Sequence, residues 1–451
     1  MPTTRDFEYL LECRNVIGVD YDEREDRVRV FVSRKLPPGA LDDEDDVEKR
    51  ITEVETDADV TVDVVDAGYD EDRDGYDALS ILEPAPEALE DRGDRHRPVP
   101  AGVSEINANS TAGTGGPYPA RIANEPGEDA DETTDDASEA VWSDVAEPGD
   151  LVRLSNNHVY ARSNEADFGE PVLQPAPHDG GGHDDEVGDL VGYVPIEDGV
   201  RVDVAARSVE LERESATYYG LEEEWPTDVR RDDYDELRGE TVTKTGRTTG
   251  VTSATVESTS ASVSVEFGGE HGTVTLREQL IAGHMSEGGD SGSAVFLEDG
   301  ALVGLLFAGS AEQTICNRIA NVERELGVEI LTGEPDEDDG DDERDAPVYT
   351  TTFEHSVEVD LEGPALELES VTFEDQPRPG RRVAATVVVA ASEPGSYWLD
   401  IDDERRRFEV EPDDDPGRAR DGVRRSVEVV VDVPDDSSDT IDVAIAGGRI
   451  E

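Results

Sequence analysis

The sequence predicts a mainly β protein. Short segments alternate apolar and polar residues, as at Val16–Asp20, at Val28–Val32 and repeatedly within 347–451. That alternation is the period of a half-buried strand. Turn-forming residues separate these segments, and helical spacing is clear only in two short stretches, 42–54 and 318–326. We therefore expect β-sheets that carry few helices.

The first ninety residues predict a small α+β domain over 1–92. A hairpin is followed by a helix over 42–54 that has acids in its first turn and basic residues later, as the helix dipole prefers. A strand over 60–68 then ends at a turn. A Pro- and charge-rich stretch predicts a linker over 93–100. We expect this domain to be a structural cap or an assembly module.

The rest of the chain divides into a central domain, a tether and a final domain. The central domain is predicted over 101–332, with an acidic insertion at 125–140 and a closing helix that ends at Gly327. An acidic linker over 333–346 follows, because charge repulsion keeps such a run solvated. The alternating segments of 347–451 predict an immunoglobulin-like β-sandwich.

Two motifs in the central domain carry chemistry. Residues 287–293 read EGGDSGS, and residues 155–159 read SNNHV. A serine hydroxyl is a poor nucleophile until a nearby base takes its proton, so Ser291 as nucleophile and His158 as base divide that work. Glycines beside the serine let the backbone direct N–H groups at a developing oxyanion. The pattern indicates acyl transfer.

A third residue is expected to orient the histidine. When the chain order is His, Asp, Ser, the acid lies between His158 and Ser291. Asp203 is the best candidate because it lies in the apolar alternation VRVDVAA, where a buried carboxylate needs a charged partner. Asp198 and Asp189 are the alternatives, and both adjoin glycine in turn-like sequence.

The GDSGS motif, the histidine motif and an Asp in a hydrophobic strand, in this order, resemble the trypsin-like (chymotrypsin-fold) serine proteases. The resemblance covers about residues 101–331. The runs KTGRTTGVTSATV (244–256), SNNHVYA and LQPAPHDGGGHDD (173–185) are similar to one branch, which contains bacterial and archaeal proteins and the plant NARROW LEAF-type proteases. The resemblance implies a double β-barrel with the three residues between the barrels.

The same resemblance implies the roles of further residues. The backbone N–H groups of Gly289 and Ser291 would hold the oxyanion. Met285 would form the floor of the specificity pocket, and its wall would comprise Phe307, Ala308 and Gly309. An uncharged floor predicts cleavage after an apolar residue. Asp290 is expected to be a structural acid that holds this loop.

Other parts of the motifs depart from the family or remain without a chemical role. Asn156 and Asn157 stand where many relatives have alanines, and they either hydrogen-bond the turn or mark the branch. His178 and His183 lie in HDGGGHDDE, whose spacing matches no zinc or calcium pattern. We expect a polar loop near the cleft there and no metal site, with weak cation binding as the alternative.

Two functions of different classes follow from these residues. The first is a serine endopeptidase that acts on a polypeptide substrate and requires no cofactor. The second is a catalytically weak or inactive protein of the same fold that binds peptides or serves as a scaffold, with the terminal domains mediating homo-oligomer assembly. The intact trio of His158, Asp203 and Ser291 favours the enzyme.

The composition indicates the environment of the chain. It holds 112 acidic and 39 basic residues, a net charge of −73, and only three lysines. Such a composition is typical of proteins of a salt-rich archaeal cytoplasm. Phosphate binding needs clustered Lys and Arg, so nucleic acid is excluded as a partner, and an anionic membrane surface is disfavoured for the same reason. No apolar run approaches the length of a membrane helix.

The termini and cysteines agree with a reducing cytoplasm. The N-terminus has no apolar core of an export signal. Cys13 and Cys316 lie far apart in sequence and are expected to be buried free thiols. No basic-Ile-Val-Gly-Gly cleavage site precedes the central domain, so we expect no activation of the kind that digestive relatives use. Regulation would depend on the ordering of loops.

The acid excess predicts that the folded state requires salt. At molar salt the Debye length is about 3 Å, and at low salt the repulsion between surface acids destabilises the compact state. The midpoint of thermal unfolding, followed by circular dichroism, is expected to rise steeply from dilute to molar KCl. Sucrose of equal osmolality, which does not screen charge, should raise it far less. Equal effects of sucrose and KCl would contradict the prediction.

Overall fold

The chain forms two compact units, Met1–Pro335 and Asp336–Glu451. The computed structural model describes residues 2–36, 41, 45–54, 60–79, 85–123, 140–222, 225–268 and 271–332, together with seven strands of the second unit. The predicted acidic linker at 333–346, and the acidic insertion predicted at 125–140 apart from its last residue, lie outside the described residues.

Helices are few and short in the part of the chain that the structure describes. The α-helices are α1 (Val47–Val54), α2 (Asn157–Tyr160) and α3 (Ile319–Leu326). Short 3₁₀ helices comprise Thr4–Glu12, Glu90–Gly93, Pro177–Asp179, His183–Asp185, Leu211–Arg213 and Tyr234–Leu237. The predicted closing helix is confirmed as α3, and Gly327 ends it with a φ of 73°. Within the described residues, no helix has the length and apolar character that crossing a membrane requires.

Strands make up most of the regular structure, so the mainly β prediction is confirmed. The strands of the first unit are β1 (Val16–Asp22), β2 (Arg27–Val32), β3 (Thr61–Asp66), β4 (Tyr76–Ala78), β5 (Val99–Ala101), β6 (Ile106–Asn107), β7 (Ala120–Ile122), β8 (Val141–Trp142), β9 (Leu151–Ser155), β10 (Pro171–Leu173), β11 (Glu186–Tyr193), β12 (Ala205–Ser208), β13 (Glu214–Tyr218), β14 (Asp228–Val229), β15 (Thr241–Gly246), β16 (Gly250–Glu266), β17 (Thr273–Gly283), β18 (Ala294–Leu297), β19 (Ala301–Gly309), β20 (Gln313–Arg318) and β21 (Val328–Ile330).

Two large sheets build the first unit. In one, strands β15, β18, β19, β20, β17 and β16 follow one another, and pairing of β15 with β16 closes them into a ring. The other sheet has the order β21, β7, β9, β12, β11, β10, β6, with β8 beside β11. Apolar side chains of both sheets share one buried cluster. The predicted site residues lie in α2, in loops and at strand ends of these two sheets.

The N-terminal segment differs from the separate domain that the sequence predicted over 1–92. Strand β1 pairs with β16, with Gly18 opposite Val263, so β1, β2 and β3 continue the closed sheet. A Cβ atom at Gly18 would lie 3.3 Å from both Phe31 and Val263, which shows how closely these strands pack. Because β1 is buried on both faces, the segment belongs to the first compact unit. The predicted linker over 93–100 likewise leads into strand β5.

The described part of the second unit contains seven strands in two sheets. They are β22 (Glu354–Leu361), β23 (Leu366–Phe373), β24 (Arg382–Ala391), β25 (Gly395–Ile401), β26 (Glu404–Val410), β27 (Val423–Asp432) and β28 (Thr440–Arg449). One sheet has the order β22, β28, β25, β26, and the other has the order β23, β24, β27. The immunoglobulin-like arrangement of these sheets stays a prediction.

A buried quartet of charges lies behind β9 and β12. Arg153 donates to Glu214 at 2.8 Å, and Arg207 donates to Glu105 at 2.7 Å and to Glu214 at 3.2 Å. All four side chains are fully buried. Burial raises the pKa of Glu105, but the two arginines lower it further, so the net pKa lies below the ordinary value. Tyr160, at the end of α2, also donates to Glu105 and thereby ties α2 to the quartet.

Removing one cation of this quartet is expected to be strongly destabilising. In Arg207→Met, the fully buried Glu105 carboxylate loses the cation that it contacts, and such a loss costs about 3–5 kcal/mol. Arg213→Met is the matched control, because Arg213 pairs with Glu210 at the surface and such pairs contribute under about 1 kcal/mol. Urea denaturation in molar KCl measures both variants.

The acid dependence of stability checks the same assignment. Because the folded-state pKa of Glu105 is lowered, its contribution is complete above the ordinary glutamate pKa of about 4.3. The contribution is lost as the pH falls through the lower folded-state value. Arg207→Met should flatten this part of the stability curve. A variant as stable as Arg213→Met at every pH would contradict the role given to the quartet.

Candidate active site

The three residues predicted for catalysis come from three separate elements. His158 lies in α2, directly after β9, Asp203 precedes β12, and Ser291 precedes β18. All three are buried. Strand pairing explains how two of them meet. Since Ser155 pairs with Ala205 across β9 and β12, the segments that hold His158 and Asp203 emerge side by side.

His158 and Asp203 form a buried hydrogen-bonded pair. The backbone N–H of His158 donates to Oδ1 of Asp203 at 3.2 Å, and its Nδ1 contacts Oδ2. A carboxylate on Nδ1 fixes the tautomer that leaves the Nε2 lone pair free. Nε2 is buried and has no hydrogen-bond partner among the described residues. The imidazole is therefore oriented and its second nitrogen is available as a base.

Two asparagines hold the backbone of Asp203. Asn317 of β20 accepts from the Asp203 N–H at 3.1 Å and donates to the Asp203 carbonyl at 3.1 Å. Asn156 donates to that same carbonyl at 2.8 Å. Asn157 is bonded elsewhere, to Asn164 and to the backbone of β11's following loop. Hydrogen bonding is thus the observed role of the two asparagines, and sequence reasoning missed Asn317 because 114 residues separate it from Asp203.

The alternatives to Asp203 have other contacts. Asp198 accepts from the backbone N–H of Thr275 at 3.1 Å. Asp189 lies within β11 opposite Pro171. Of the three candidate acids, Asp203 is the one that contacts His158.

Ser291 lies in a tight turn between two glycines with left-handed backbone. Gly289 has a φ of 94° and Gly292 a φ of 95°. A Cβ at Gly292 would lie 2.1 Å from the carbonyl oxygen of Thr114, so only glycine fits. Thr114 in turn donates from its N–H to the Ser291 carbonyl at 2.9 Å and from Oγ1 to the Gly289 carbonyl at 2.8 Å. The hydroxyl of Ser291 donates to the Phe307 carbonyl at 3.1 Å, and no hydrogen bond joins it to His158 among the described residues.

The Asp290 carboxylate fixes this turn through five donors. Oδ1 accepts from the N–H groups of Thr248 at 2.8 Å and Thr249 at 3.1 Å. Oδ2 accepts from Thr249 Oγ1 at 2.7 Å and from the Glu287 N–H at 3.0 Å, and it lies 3.2 Å from Nζ of Lys244. Both charged side chains are fully buried. Burial lowers the pKa of Lys244, and Asp290 acts against that effect.

The GRTTG motif therefore has a structural function that the sequence alone did not reveal. It folds around Asp290, and a Cβ at Gly246 would lie 2.6 Å from that carboxylate. Arg247 of the same motif donates twice to Asp179, at 2.6 Å each. Asp179 belongs to the loop that carries His178, so this loop is tied to the turn of Ser291.

The loop with the two histidines does not gather metal ligands. The side chain of His183 is 94% exposed. Within the described ranges, no three His, Cys, Asp or Glu side chains converge as a metal site. A polar surface cavity of about 320 Å³ lies beside this loop, and no predicted catalytic or pocket residue lines it.

The residues predicted for the substrate pocket are buried. Met285, Phe307 and Ala308 are at most 3% exposed. The Met285 carbonyl accepts from Thr252 at 2.6 Å, which secures the segment before the Ser291 turn. The N–H of Gly289, one of the two predicted oxyanion donors, donates to a backbone carbonyl of this same chain at 2.9 Å. Cys13 and Cys316 are buried, as predicted, and the two do not form a disulfide with each other.

Comparisons with known proteins find similarity only among solved structures. No protein-family description matches the chain, and no curated protein matches it. Cellulomonas bogoriensis chymotrypsin is 14% identical over 52% of this chain and 98% of that chain, with a TM-score of 0.33. Thermobifida fusca protease A is 16% identical over 52% and 99%, with a TM-score of 0.33. The Nocardiopsis protease NAPase is 16% identical over 52% of this chain and 99% of that chain, with a TM-score of 0.34.

The Lys244–Asp290 pair generates a prediction about stability. Lys244→Met leaves a fully buried carboxylate without its cation, which costs about 3–5 kcal/mol. Lys49→Met is the control, because Lys49 pairs with Asp46 at the surface. Its loss should cost under about 1 kcal/mol. Urea denaturation in molar KCl measures both, and equal losses in the two variants would contradict the role given to Lys244.

Proposed function

We propose that the protein is a serine endopeptidase that hydrolyses peptide bonds through His158, Asp203 and Ser291. The observation that carries the proposal is the buried contact of Nδ1 of His158 with Asp203, with Nε2 left unpaired among the described residues. A structural histidine in the same position has no need of a free, buried nitrogen, because an unsatisfied buried group is costly.

The proposed reaction proceeds in two steps. His158 Nε2 takes the proton of the Ser291 hydroxyl, which attacks the substrate carbonyl, and Asp203 stabilises the resulting imidazolium. The backbone N–H groups of Gly289 and Ser291 hold the oxyanion of the tetrahedral intermediate. The imidazolium then gives its proton to the leaving amine. Water activated by His158 hydrolyses the acyl-enzyme and restores Ser291.

The free energy that an oxyanion donor contributes to catalysis is known from other enzymes. A single oxyanion donor contributes about 3–4 kcal/mol of transition-state stabilisation when it is fixed in advance. The Asp290 contacts and the left-handed Gly289 supply that rigidity to the turn. The proposal requires the Ser291 hydroxyl to leave its acceptor, the Phe307 carbonyl, and to donate to Nε2 of His158.

The wider context is part of the same proposal. The two large sheets would be the two barrels of a chymotrypsin-type fold, and the pocket over Met285 would accept an apolar residue. The substrate is a polypeptide, and the cell compartment is a salt-rich cytoplasm. Assembly into homo-oligomers would use the terminal segments, and the second unit would be an immunoglobulin-like sandwich.

One observation favours the second function, a peptide-binding protein without turnover. The Ser291 hydroxyl donates to Phe307, and no hydrogen bond links it to His158 in the described part of the chain. A protein of this class would bind peptides in the same cleft, and its serine would not react.

A fluorophosphonate probe separates the two functions. In molar KCl the wild-type protein is expected to be labelled covalently, and Ser291→Ala is expected to lose the label. Asp203→Asn should reduce the rate of peptide hydrolysis about 10⁴-fold, because the histidine loses its tautomer. Asp198→Asn, an exposed aspartate of the same loop, is the matched control and should keep the wild-type rate. A folded wild-type protein that remains unlabelled under all conditions would favour the binding protein.

A further inference from the structure

The short strand β4 runs along the predicted wall of the substrate pocket. It is antiparallel to the end of β19, with Ala78 opposite Ala308 and Asp77 opposite Gly309. Peptide segments commonly bind to a sheet edge by adding a strand in this way. The N-terminal segment of this chain thus occupies the edge where an extended substrate would pair.

The residue after β4 contacts the catalytic machinery with both of its backbone groups. The N–H of Leu79 donates to the Phe307 carbonyl at 3.2 Å, and the N–H of Gly289 donates to the Leu79 carbonyl at 2.9 Å. The Phe307 carbonyl is also the acceptor of the Ser291 hydroxyl. The Leu79 carbonyl oxygen therefore accepts from the N–H of Gly289, which is a predicted oxyanion donor. A substrate carbonyl that Ser291 attacks would accept from the same N–H.

The side chain of Leu79 fills an apolar pocket. Leu79 is 5% exposed and belongs to a buried cluster that includes Met285 and Leu306. One of its methyl groups lies 3.7 Å from the position that a Cβ atom of Gly309 would take. Met285 and Gly309 are the residues predicted to form the specificity pocket. A leucine at this place agrees with the expected preference for an uncharged residue before the cleaved bond.

The segment is anchored by further contacts, which distinguish it from a loose loop. The Tyr69 hydroxyl donates to the Gly309 carbonyl at 3.1 Å and accepts from the Asp77 N–H at 3.2 Å. Tyr76 is fully buried, and it lies opposite Val265 of β16 in parallel pairing. These contacts fix the direction and register of the strand before it reaches Leu79.

We infer that Tyr76–Leu79 is an internal peptide ligand of the substrate cleft, with Leu79 in the position of the residue that precedes the cleaved bond. The inference rests on the proposed function for the meaning of that position. It implies that the cleft is closed to other polypeptides until this segment leaves, and that the enzyme prefers substrates with leucine or a similar apolar residue before the cleaved bond. Control of activity would then depend on the strand bound in the cleft, where the sequence alone predicted control by the ordering of loops.

A strand that merely completes the sheet is the simpler alternative. It would explain the pairing of Ala78 and the burial of Tyr76. It does not explain why the N–H of Gly289 donates to the Leu79 carbonyl while the Leu79 side chain lies in the same buried cluster as Met285. Both features lie beyond the end of β4, and a bound substrate would show both.

The test uses the full-length protein with a charge placed in the pocket. Leu79→Asp buries a carboxylate among apolar side chains, which is costly without a partner, so the segment should leave the cleft. Fluorophosphonate labelling and hydrolysis of a leucyl peptide amide should accelerate at least about tenfold, because the accessible fraction of the protein rises. Leu211→Asp is the control, since Leu211 is 42% exposed in a 3₁₀ helix, and it should leave both rates unchanged.

A milder variant keeps the inference testable if Leu79→Asp does not fold. Tyr69→Phe removes only the hydroxyl that joins Gly309 to Asp77, so it should loosen the segment and accelerate labelling to a smaller extent. Unchanged labelling in folded Leu79→Asp, or in folded Tyr69→Phe when the first variant does not fold, would overturn the inference.

A binding measurement separates failure of the inference from failure of the proposed function. A fluorescein-labelled peptide of residues 73–79 should bind Leu79→Asp/Ser291→Ala in fluorescence anisotropy and should not bind Ser291→Ala alone. The same peptide with Asp in place of its leucine should not bind either protein. Binding without any labelling of the wild type or of Leu79→Asp would retain the inference and reject the enzyme. Labelling of Ser291 without peptide binding would retain the enzyme and reject the inference.

Discussion

The buried ion pair of Lys244 and Asp290 is the contact on which the Ser291 turn depends. A buried ion pair stabilises a fold only when further hydrogen bonds satisfy the remaining donors and acceptors of both side chains. Here the backbone of the GRTTG turn and the N–H of Glu287 fill them. The glycines follow from the same constraint, because Gly246 must approach the carboxylate closely and Gly289 must adopt a left-handed conformation. One carboxylate thereby sets the backbone on which the proposed nucleophile and oxyanion donors lie.

Contacts between the two large sheets then bring the remaining residues into place. Asn317, on the closed sheet, holds both backbone groups of Asp203, which belongs to the other sheet. Thr114, in the segment between β6 and β7, bonds to the carbonyls of Gly289 and Ser291 in the Ser291 turn. The register of β9 and β12 is sufficient to bring His158 to Asp203. The position of this pair relative to Ser291 depends on the contacts of Asn317 and Thr114. The contacts of Asn317 and Thr114 thus make the site rigid.

The N-terminal segment controls access to the site, because it binds in the cleft. Strands β1, β2 and β3 extend the closed sheet, and β4 continues from them into the cleft. A segment that is covalently attached has a high effective concentration at its site, so modest contacts suffice to keep it bound. Its departure exposes both the apolar pocket and the N–H of Gly289. Salt affects the same equilibrium, because at low salt the repulsion between surface acids destabilises the folded state of the whole unit.

The sequence by itself determined the mainly β class, the closing helix and a short set of candidate residues for the site. These features depend on local periodicity and on motifs a few residues long, which one chain displays directly. Only the tertiary structure decided that Asp203, and neither Asp198 nor Asp189, contacts His158, since that choice depends on strand register. It also decided the roles of Asn317 and Lys244 and the position of Leu79. Each of these contacts joins residues that are far apart in the sequence and that strand pairing and the packing of the two sheets bring together. No periodicity in the sequence encodes that arrangement.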